Sequence, residues 1–332
     1  MIYNSFEDTG LLRVLTFLKT HNTEYLSGQD LSDVLRISRV AVWKHIKKIQ
    51  LLGYTVESKQ KEGYKLTANS DLLLPWEIVS GIKTKTLGQQ AYYFDSIDST
   101  QNQAMKMAND PKNNGAIIIA EKQTGGKGRS GRKWISPKGG IWLSVILHPK
   151  FDISITTLFP IASSLALSYA IEKICKINPE LKWPNDLTIK GKKVAGMLVD
   201  ASFESNRIEN LVLGVGINFK IDVKKIEKIL KKTPNYYGVA SLNKDGDAIA
   251  LVQCFLLELE KMYELLNTKQ TTKIIAEWTK RSSTIGKEVE IDTVNGKIKG
   301  KASKIDDDGG LLVKDKGKIT KIIAGDIVHL SK

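Results

Sequence analysis

Apolar residues fall into different rhythms along the chain, and each rhythm predicts a different kind of element. Leu11, Leu12, Val14, Leu15 and Leu18 recur on one helical face, predicting an amphipathic helix from about residue 10 to 20. Ser27 opens a second helix as N-cap, with Asp30 three residues on in a weak capping box; Leu31, Val34 and Leu35 give it a buried stripe. Ser38 caps a third. There Val42, Ile46 and Ile49 share one side, and at about 100° per residue Lys44, Lys47 and Lys48 take the other. Alternation then replaces the helical period. Tyr54 and Val56, a turn from Lys59 to Gly63, then Tyr64 and Leu66 predict a β-hairpin with lysines at its tip. Three helices followed by such a hairpin make a winged helix-turn-helix. Asn69, Ser70, Asp71 and Pro75 mark a linker.

From about Ala91 the pattern changes again. Ile117–Ala120, Ile141–Leu147, Val194–Val199 and Leu211–Val215 read as buried strands. Phe159–Lys176 reads as a long helix with Ala162, Leu165, Ala166, Tyr169 and Ile174 in its core, and a shorter one runs from about Thr100 to Asn109. This mixture predicts an α/β domain, closed by two helices over about Asp247–Asn267 and Thr271–Lys280. Beyond Gly286, short apolar runs (Val289/Ile291, Ile298, Ala302/Ile305, Leu311–Val313, Ile319/Ile322/Ile323, Ile327/Val328/Leu330) alternate with turns such as Asn295-Gly296 and Asp308-Gly309-Gly310. They predict a small antiparallel barrel. The chain is therefore expected to be an α+β multidomain protein, divided as 1–68, 69–283 and 284–332.

Composition sharpens this picture in few places. At 42% hydrophobic and 26% charged, the 332 residues are ordinary globular sequence, which excludes disordered and fibrous classes. No run approaches the roughly 18 uninterrupted apolar residues of a membrane span. Residues 1–10 carry Glu7 and Asp8 and no apolar core, so no secretory signal is expected. Cys175 and Cys254 lie far apart without a metal spacing, which suits a reducing, cytoplasmic location. The net charge of +14 invites a nucleic-acid reading, yet residues 1–68 hold ten Lys+Arg against seven Asp+Glu, a net of only +3. The local distribution says more: between Val34 and Val56 there are five basic residues and no acidic one. Ser38, Arg39, Val40, Lys44, Lys47 and Lys48 are the candidates for the major groove and its phosphates, with Lys59 and Lys61 on the wing. The bland alternative is a protein-contact module with a solvated lysine face. Trp43 and His45 flank the apolar stripe and read as packing residues.

Candidate chemistry concentrates in three segments. The first, Gln123-Thr-Gly-Gly-Lys-Gly-Arg-Ser-Gly-Arg-Lys-Trp134, follows a buried strand. Its glycines allow close backbone approach, and Lys127, Arg129, Arg132 and Lys133 suit a wrapped phosphate or carboxylate. It lacks the Lys-Ser/Thr pair of a P-loop and the dinucleotide glycine spacing, so a mobile basic loop is the competing reading. The second is Leu181-Lys-Trp-Pro-Asn-Asp186 with Lys192-Lys-Val-Ala-Gly196. Its carboxylate and lysines suit a metal-bound nucleotide triphosphate, or equally a surface Asp–Lys pair. The third, Asp95-Ser-Ile-Asp-Ser-Thr100, offers hydroxyls either to a polar ring or as a helix cap. Gly214-Val-Gly-Ile-Asn-Phe219 at a strand end is weak evidence alone.

Together these motifs resemble those of the bifunctional biotin protein ligases that also act as biotin operon repressors. The resemblance runs from about Leu11 to Leu330. It is carried most specifically by Gly126–Trp134, Lys182-Trp-Pro-Asn-Asp186, Lys193 with Ala195-Gly196, and Gly216-Ile-Asn218. It implies a central domain similar to class II aminoacyl-tRNA synthetases and a C-terminal SH3-like β-barrel. It also implies ATP and Mg²⁺, biotin as substrate, and biotinyl-5'-AMP as intermediate and corepressor. The implied partners are the biotin carboxyl carrier protein of acetyl-CoA carboxylase, operator DNA and a second copy of the chain when loaded, with no membrane. Ser99, Thr100, Gln101 or Asn102, Gln123, Lys127, Gly128, Arg129 and Lys193 would meet biotin. Gly126, Arg132, Lys182, Asn185, Asp186 and Asn218 would line the nucleotide side. Lys193, Arg129 and Asp186 would be catalytic, Asp186 also serving the metal.

Departures from the family pattern leave points open. Thr100 is followed by Gln101 before Asn102, where the family has Ser-Thr-Asn, so either amide could read biotin. Lys127 stands where a closely similar repressor has Arg, keeping charge but losing the planar fork. The adenine-covering segment around Pro234–Leu242 matches poorly, with Tyr236 and Tyr237 where a tryptophan is sought. Lipoate or octanoate attachment, a biotin-sensing transcription factor, and a stand-alone ligase with a vestigial DNA-binding domain are the competing functions.

Overall fold

The computed structural model describes residues 2–4, 9–204, 207–231, 236–242, 247–294 and 296–330. Glu7, Asp8, Pro234 and Asn295 of the readings above lie outside these residues. The chain divides into two compact units, residues 4–74 and residues 1–3 with 75–332.

A short strand, β1 (Ile2–Asn4), precedes the small unit and joins the sheet of the large one. The small unit has α1 (Thr9–Thr20), α2 (Gly28–Leu35), α3 (Arg39–Leu51) and a hairpin of β2 (Thr55–Lys59) and β3 (Gly63–Ala68). Its order is that of the expected winged helix. Both predicted caps form: Ser27 accepts the Asp30 N–H at 3.0 Å and Ser38 accepts the Ala41 N–H at 3.2 Å. Leu11, Val14, Leu15, Leu18, Leu31, Leu35, Val42, Ile46 and Ile49 close the core. Val34 does not join them. It is 55% exposed, because it lies on the flank of α2 rather than on the stripe facing α1 and α3.

The large unit continues with α4 (Pro75–Ser80), β4 (Ala91–Phe94), α5 (Thr100–Met107), β5 (Ile117–Ala120), β6 (Ile141–Leu147) and α6 (Phe159–Cys175). Next come β7 (Glu180–Lys182), β8 (Asp186–Ile189), the long hairpin β9 (Lys192–Glu204) and β10 (Arg207–Ile217), α7 (Val223–Leu230), α8 (Ala248–Asn267) and α9 (Thr271–Lys280). One eight-stranded sheet runs β1-β4-β5-β6-β10-β9-β8-β7, antiparallel except for β4 and β5 among the recorded pairings. Residues Ile153–Cys175 are long and apolar enough, by length and composition, to cross a membrane. In this fold the stretch is a core element whose Ile161, Leu165, Ala166 and Ile171 are buried. Tyr169 and Ile174, expected in that core, are only half-buried, since they sit at the margin of the packed face.

The C-terminal sheet contains β11 (Glu288–Thr293), β12 (Gly296–Ile305), β13 (Leu311–Asp315), β14 (Lys318–Ile322) and β15 (Asp326–His329), ordered β14-β13-β12-β11-β15. Val289, Ile291, Ala302, Ile305, Leu311, Val313, Ile322 and Ile327 fill it, whereas Ile319 and Ile323 point outward at 59% and 55% exposure. This barrel is fastened to the α/β domain by specific bonds. The indole N–H of buried Trp183 donates to Gly309 O at 3.1 Å, and the Trp183 amide donates to Thr284 Oγ1 at 3.1 Å.

Candidate functional sites

A cavity opens over the middle of the large sheet, and strand pairing explains which residues share it. β10 lies between β6 and β9, with Gly214 opposite Ser144 and Leu198, and Gly216 opposite Trp142 and Gly196. Gly214 and Gly216 are two residues apart and so face the same side. A Cβ at Gly214 would stand 2.5 Å from Gln101 Oε1, and one at Gly216 would stand 2.5 Å from Trp134 Nε1. The glycine pair thus makes a floor low enough for Gln101 and Trp134 to lie across it.

One end of the cavity is a closed polar network. Ser99 caps α5 through the Asn102 N–H at 3.4 Å, which sets Thr100 and Gln101 facing the sheet. Ser144 Oγ lies 3.0 Å from Thr100 Oγ1 and 2.9 Å from Gln101 Oε1. Gln101 Nε2 donates to Asp200 and to Val212 O, each at 3.0 Å. Gln123 accepts from the Thr100 amide at 2.8 Å and donates to Ser136 at 2.8 Å. Each group is already oriented, so this end is preorganised for a polar ligand rather than free to reshape.

The other end is cationic. β7 and β8 form a hairpin in which Lys182 pairs with Asp186, and Asp186 in turn pairs with Gly196 of β9. Lys193 Nζ reaches Asp186 Oδ1 at 2.6 Å, with side chains only 26% and 15% exposed. The pair is therefore no surface bridge. Tyr237 donates its hydroxyl to Asp186 Oδ2, and its ring lies under Lys182 Nζ at 3.3 Å from the centroid. Burial lowers the Lys182 ammonium to about 8, with Asp186 opposing the fall and Lys193 adding to it. Burial also raises the Tyr237 hydroxyl, helped by Asp186. The glycine-rich loop closes this end: Gly128 N–H donates to Arg132 O at 2.7 Å and Trp134 N–H to Gly126 O at 2.9 Å. Its left-handed tip at Ser130 and Gly131 turns Arg129 inward, where Nη1 donates to Asn185 Oδ1 at 3.2 Å. Burial lowers the Arg129 guanidinium from its ordinary value, against the pull of Asp326 and Asp186. Arg132 is ion-paired with Asp326 of the barrel at 2.6 Å.

In the small unit, Ser38, Arg39, Val40, Lys44 and Lys47 are exposed on α3, and Lys61 is exposed at the hairpin tip. Lys48 is only half-buried to the side of this face, and Lys59 stands over the Tyr25 ring at 4.2 Å. Trp43, expected to pack, is instead 51% exposed, because the stripe of Val42, Ile46 and Ile49 is complete without it. His45 is half-buried.

Three family models match the chain in this same order: an HTH domain over residues 11–65, the biotin/lipoate A/B protein ligase family over 93–218, and the biotin protein ligase C terminal domain over 284–330. Over 306 residues the chain is 38% identical to the bifunctional ligase/repressor BirA of Bacillus spizizenii, covering 92% of this chain and 94% of that one. The chain belongs to the bifunctional biotin protein ligase family. The corresponding protein of Escherichia coli is 27% identical over 323 residues, 97% of each chain. Among solved structures, the biotin protein ligase of Aquifex aeolicus in complex with biotin and ATP superposes with a TM-score of 0.62 at 28% identity. It covers 74% of this chain and 98% of that chain. A biotin ligase domain and an HTH domain therefore coexist here, and the C-terminal domain is the SH3-like one of the family.

Against this ligase framework, the cavity gathers Ser99, Thr100, Gln101, Gln123, Lys127, Gly128, Arg129, Arg132, Lys182, Asn185, Asp186 and Lys193. Asn102 does not line it; its amide donates to Asp98 at 2.6 Å, so of the two candidate amides Gln101 is the one at the cavity. Gly126 and Asn218, expected on the nucleotide side, are not among the lining residues. The first pairs with Trp134, and the second is hydrogen-bonded to the Lys193 carbonyl at 3.4 Å. The lining residues given no site role from the sequence include Trp134, Ser144, Tyr237 and Asp326. Ser144 carried a signal, being the one polar residue in the apolar run Ile141–Leu147. Tyr237 carried only a weak one, its place in the segment expected to cover the adenine, and Asp326 carried none; both reach the cavity from elements distant in sequence.

Proposed function

We propose that this ligase joins biotin to ATP, forming biotinyl-5'-AMP and pyrophosphate, and then passes biotin to one lysine of the biotin carboxyl carrier protein of acetyl-CoA carboxylase. When acceptor is exhausted, the loaded chain dimerises and represses biotin-synthesis genes, with biotinyl-5'-AMP as corepressor. The proposal divides the chain into a winged helix-turn-helix domain (1–68), a ligase domain (69–283) and an SH3-like domain (284–332), acting in the cytoplasm. The observation that carries it is the convergence of Lys193, Lys182 and Arg129 on one cavity whose other end is a fixed polar network.

In the first half-reaction a biotin carboxylate oxygen bonds to the α-phosphorus of ATP as the bond to pyrophosphate breaks. Two anions must meet, so cations fixed beforehand are worth most. Lys193 leaves its ion pair with Asp186 to hold the carboxylate and the transferring phosphoryl group, and Tyr237 keeps Asp186 in place as it does so. Arg129 lies over the same point from the loop, while Lys182 and Asn185 line the nucleotide side. In the second half-reaction the lysine amine of the acceptor bonds to the acyl carbon, AMP leaves, and the amine loses a proton. The closed loop keeps water from the mixed anhydride meanwhile.

Mg²⁺ is expected as part of the nucleotide substrate. The carboxylates lining the cavity are Asp186, engaged by Lys193 and Tyr237, and Asp326, engaged by Arg132. Among the described residues no group of three or more His, Cys, Asp or Glu is placed to hold a metal. This donor set does not build a resident metal site.

Incubation with ATP, biotin and apo-carrier, with lipoate and octanoate in parallel, tests the ligase reading; transfer of biotin alone supports it. Arg129→Gly should release biotinyl-5'-AMP and label bystander proteins, whereas retention equal to wild type would count against the role of the loop. Gel shifts with DNA from upstream of biotin-synthesis genes should show biotin-dependent retention. Its absence would leave a stand-alone ligase.

A further inference from the structure

The exposed face of α3 is not uniformly cationic. Val40 is 63% and Trp43 51% exposed, one helical turn apart and flanked by Arg39, Lys44 and Lys47. Ser38 fixes the start of the helix, so both lie within its first two turns. Neither is needed by the core, which Val42, Ile46 and Ile49 complete at 1% exposure or less. A surface that sets apolar side chains among cations fits a partner with apolar groups between rows of anions. Duplex DNA is such a partner, and in its major groove the thymine C5-methyl is the apolar substituent. The first turns of a recognition helix are also the part that meets base edges.

We propose that Val40 and Trp43 read thymine methyl groups in the operator, supplying the apolar share of sequence discrimination while Arg39, Lys44 and Lys47 bind phosphates and base edges. This rests on the DNA-binding reading above and deepens it. An apolar contact displaces no counterion, so its contribution is independent of salt, unlike that of a lysine.

The test uses the full-length chain with biotin and ATP, and a duplex selected from a randomised pool as probe. Each thymidine of the selected half-site is replaced in turn by deoxyuridine, which removes one methyl and leaves the protein untouched. Wild type should lose about fourfold in affinity at one or two such positions, the effect of exposing one buried carbon. Trp43→Ala should bind the selected duplex roughly tenfold more weakly while binding a scrambled duplex as wild type does. It should also become indifferent to deoxyuridine at the position it covers, and its slope of log affinity against log salt should not change. If every deoxyuridine duplex binds wild type equally, the proposal fails even though DNA is bound. It fails too if Trp43→Ala weakens selected and scrambled duplexes alike, or if it alters only self-association, which would make this face a protein contact. If wild type retains no duplex from the pool, the DNA-binding reading itself fails.

Discussion

On α3, Arg39, Lys44 and Lys47 stand on an exposed face, whereas in the ligase cavity Lys182 is 6% exposed and Lys193 is held by Asp186 at 2.6 Å. The first arrangement suits a ligand met by many weak, screened contacts whose sum depends on salt. The second concentrates charge where water is scarce, so each cation counts for more and must be balanced until a ligand takes over. Similar residue types thus serve two physical purposes, and only their surroundings separate them.

The comparison is tested hardest by removing one cation from each side. Lys193→Ala should slow biotinyl-5'-AMP formation by about 10²–10³-fold, measured by pyrophosphate exchange, as for loss of one preorganised group at a charged transition state. Lys47→Ala should leave that rate unchanged and lower the salt slope of DNA binding by about 1. If both variants lost ligase activity alike, the distinction would collapse. Next in size, Ile46→Ala empties part of the small unit's core and should cost about 2–5 kcal/mol. Calorimetry should show an early transition for residues 4–74 while biotin transfer persists. A single shifted transition would instead tie the two units together.

Smaller effects come from titration. With burial holding Lys182 near 8, its charge is present below that pH and is lost as pH rises through it. The KM for ATP should therefore climb above pH 8 by up to roughly tenfold per unit, and Lys182→Arg should remove the climb. The smallest effect concerns His329, lowered to about 4 by burial and then by the charges of Lys182 and Lys287. Its folded value lies below its ordinary 6.5, so the stability it confers is present above pH 6.5 and lost as pH falls toward 4. Melting temperature should fall less steeply over that window in His329→Gln.

Much of the fold was legible because its determinants are short-range. Ser27 and Ser38 cap the helices they were read to cap, and the alternation around Tyr54–Leu66 became the wing. The errors have a common cause. Val34 was placed in a core and Trp43 beside one from helical spacing, yet spacing fixes an angle and not which angles a neighbouring helix covers. The Gly214-Val-Gly216 run looked weak because its reason is the bulk of Gln101 and Trp134, which arrive from α5 and the loop.

The spacing of apolar residues, the cap residues and the acid-free stretch Val34–Val56 were fixed by sequence alone, since each depends on neighbours within a few positions. So was the family resemblance, carried by ordered motifs. Which cations are buried, which carboxylate holds them and which amide faces the cavity were decided only by tertiary structure. Asp186 is restrained by Tyr237, 51 residues away, and Arg132 by Asp326, 194 residues away. Dielectric and charge pairing are set by what the folded chain brings near, and no local pattern encodes that distance.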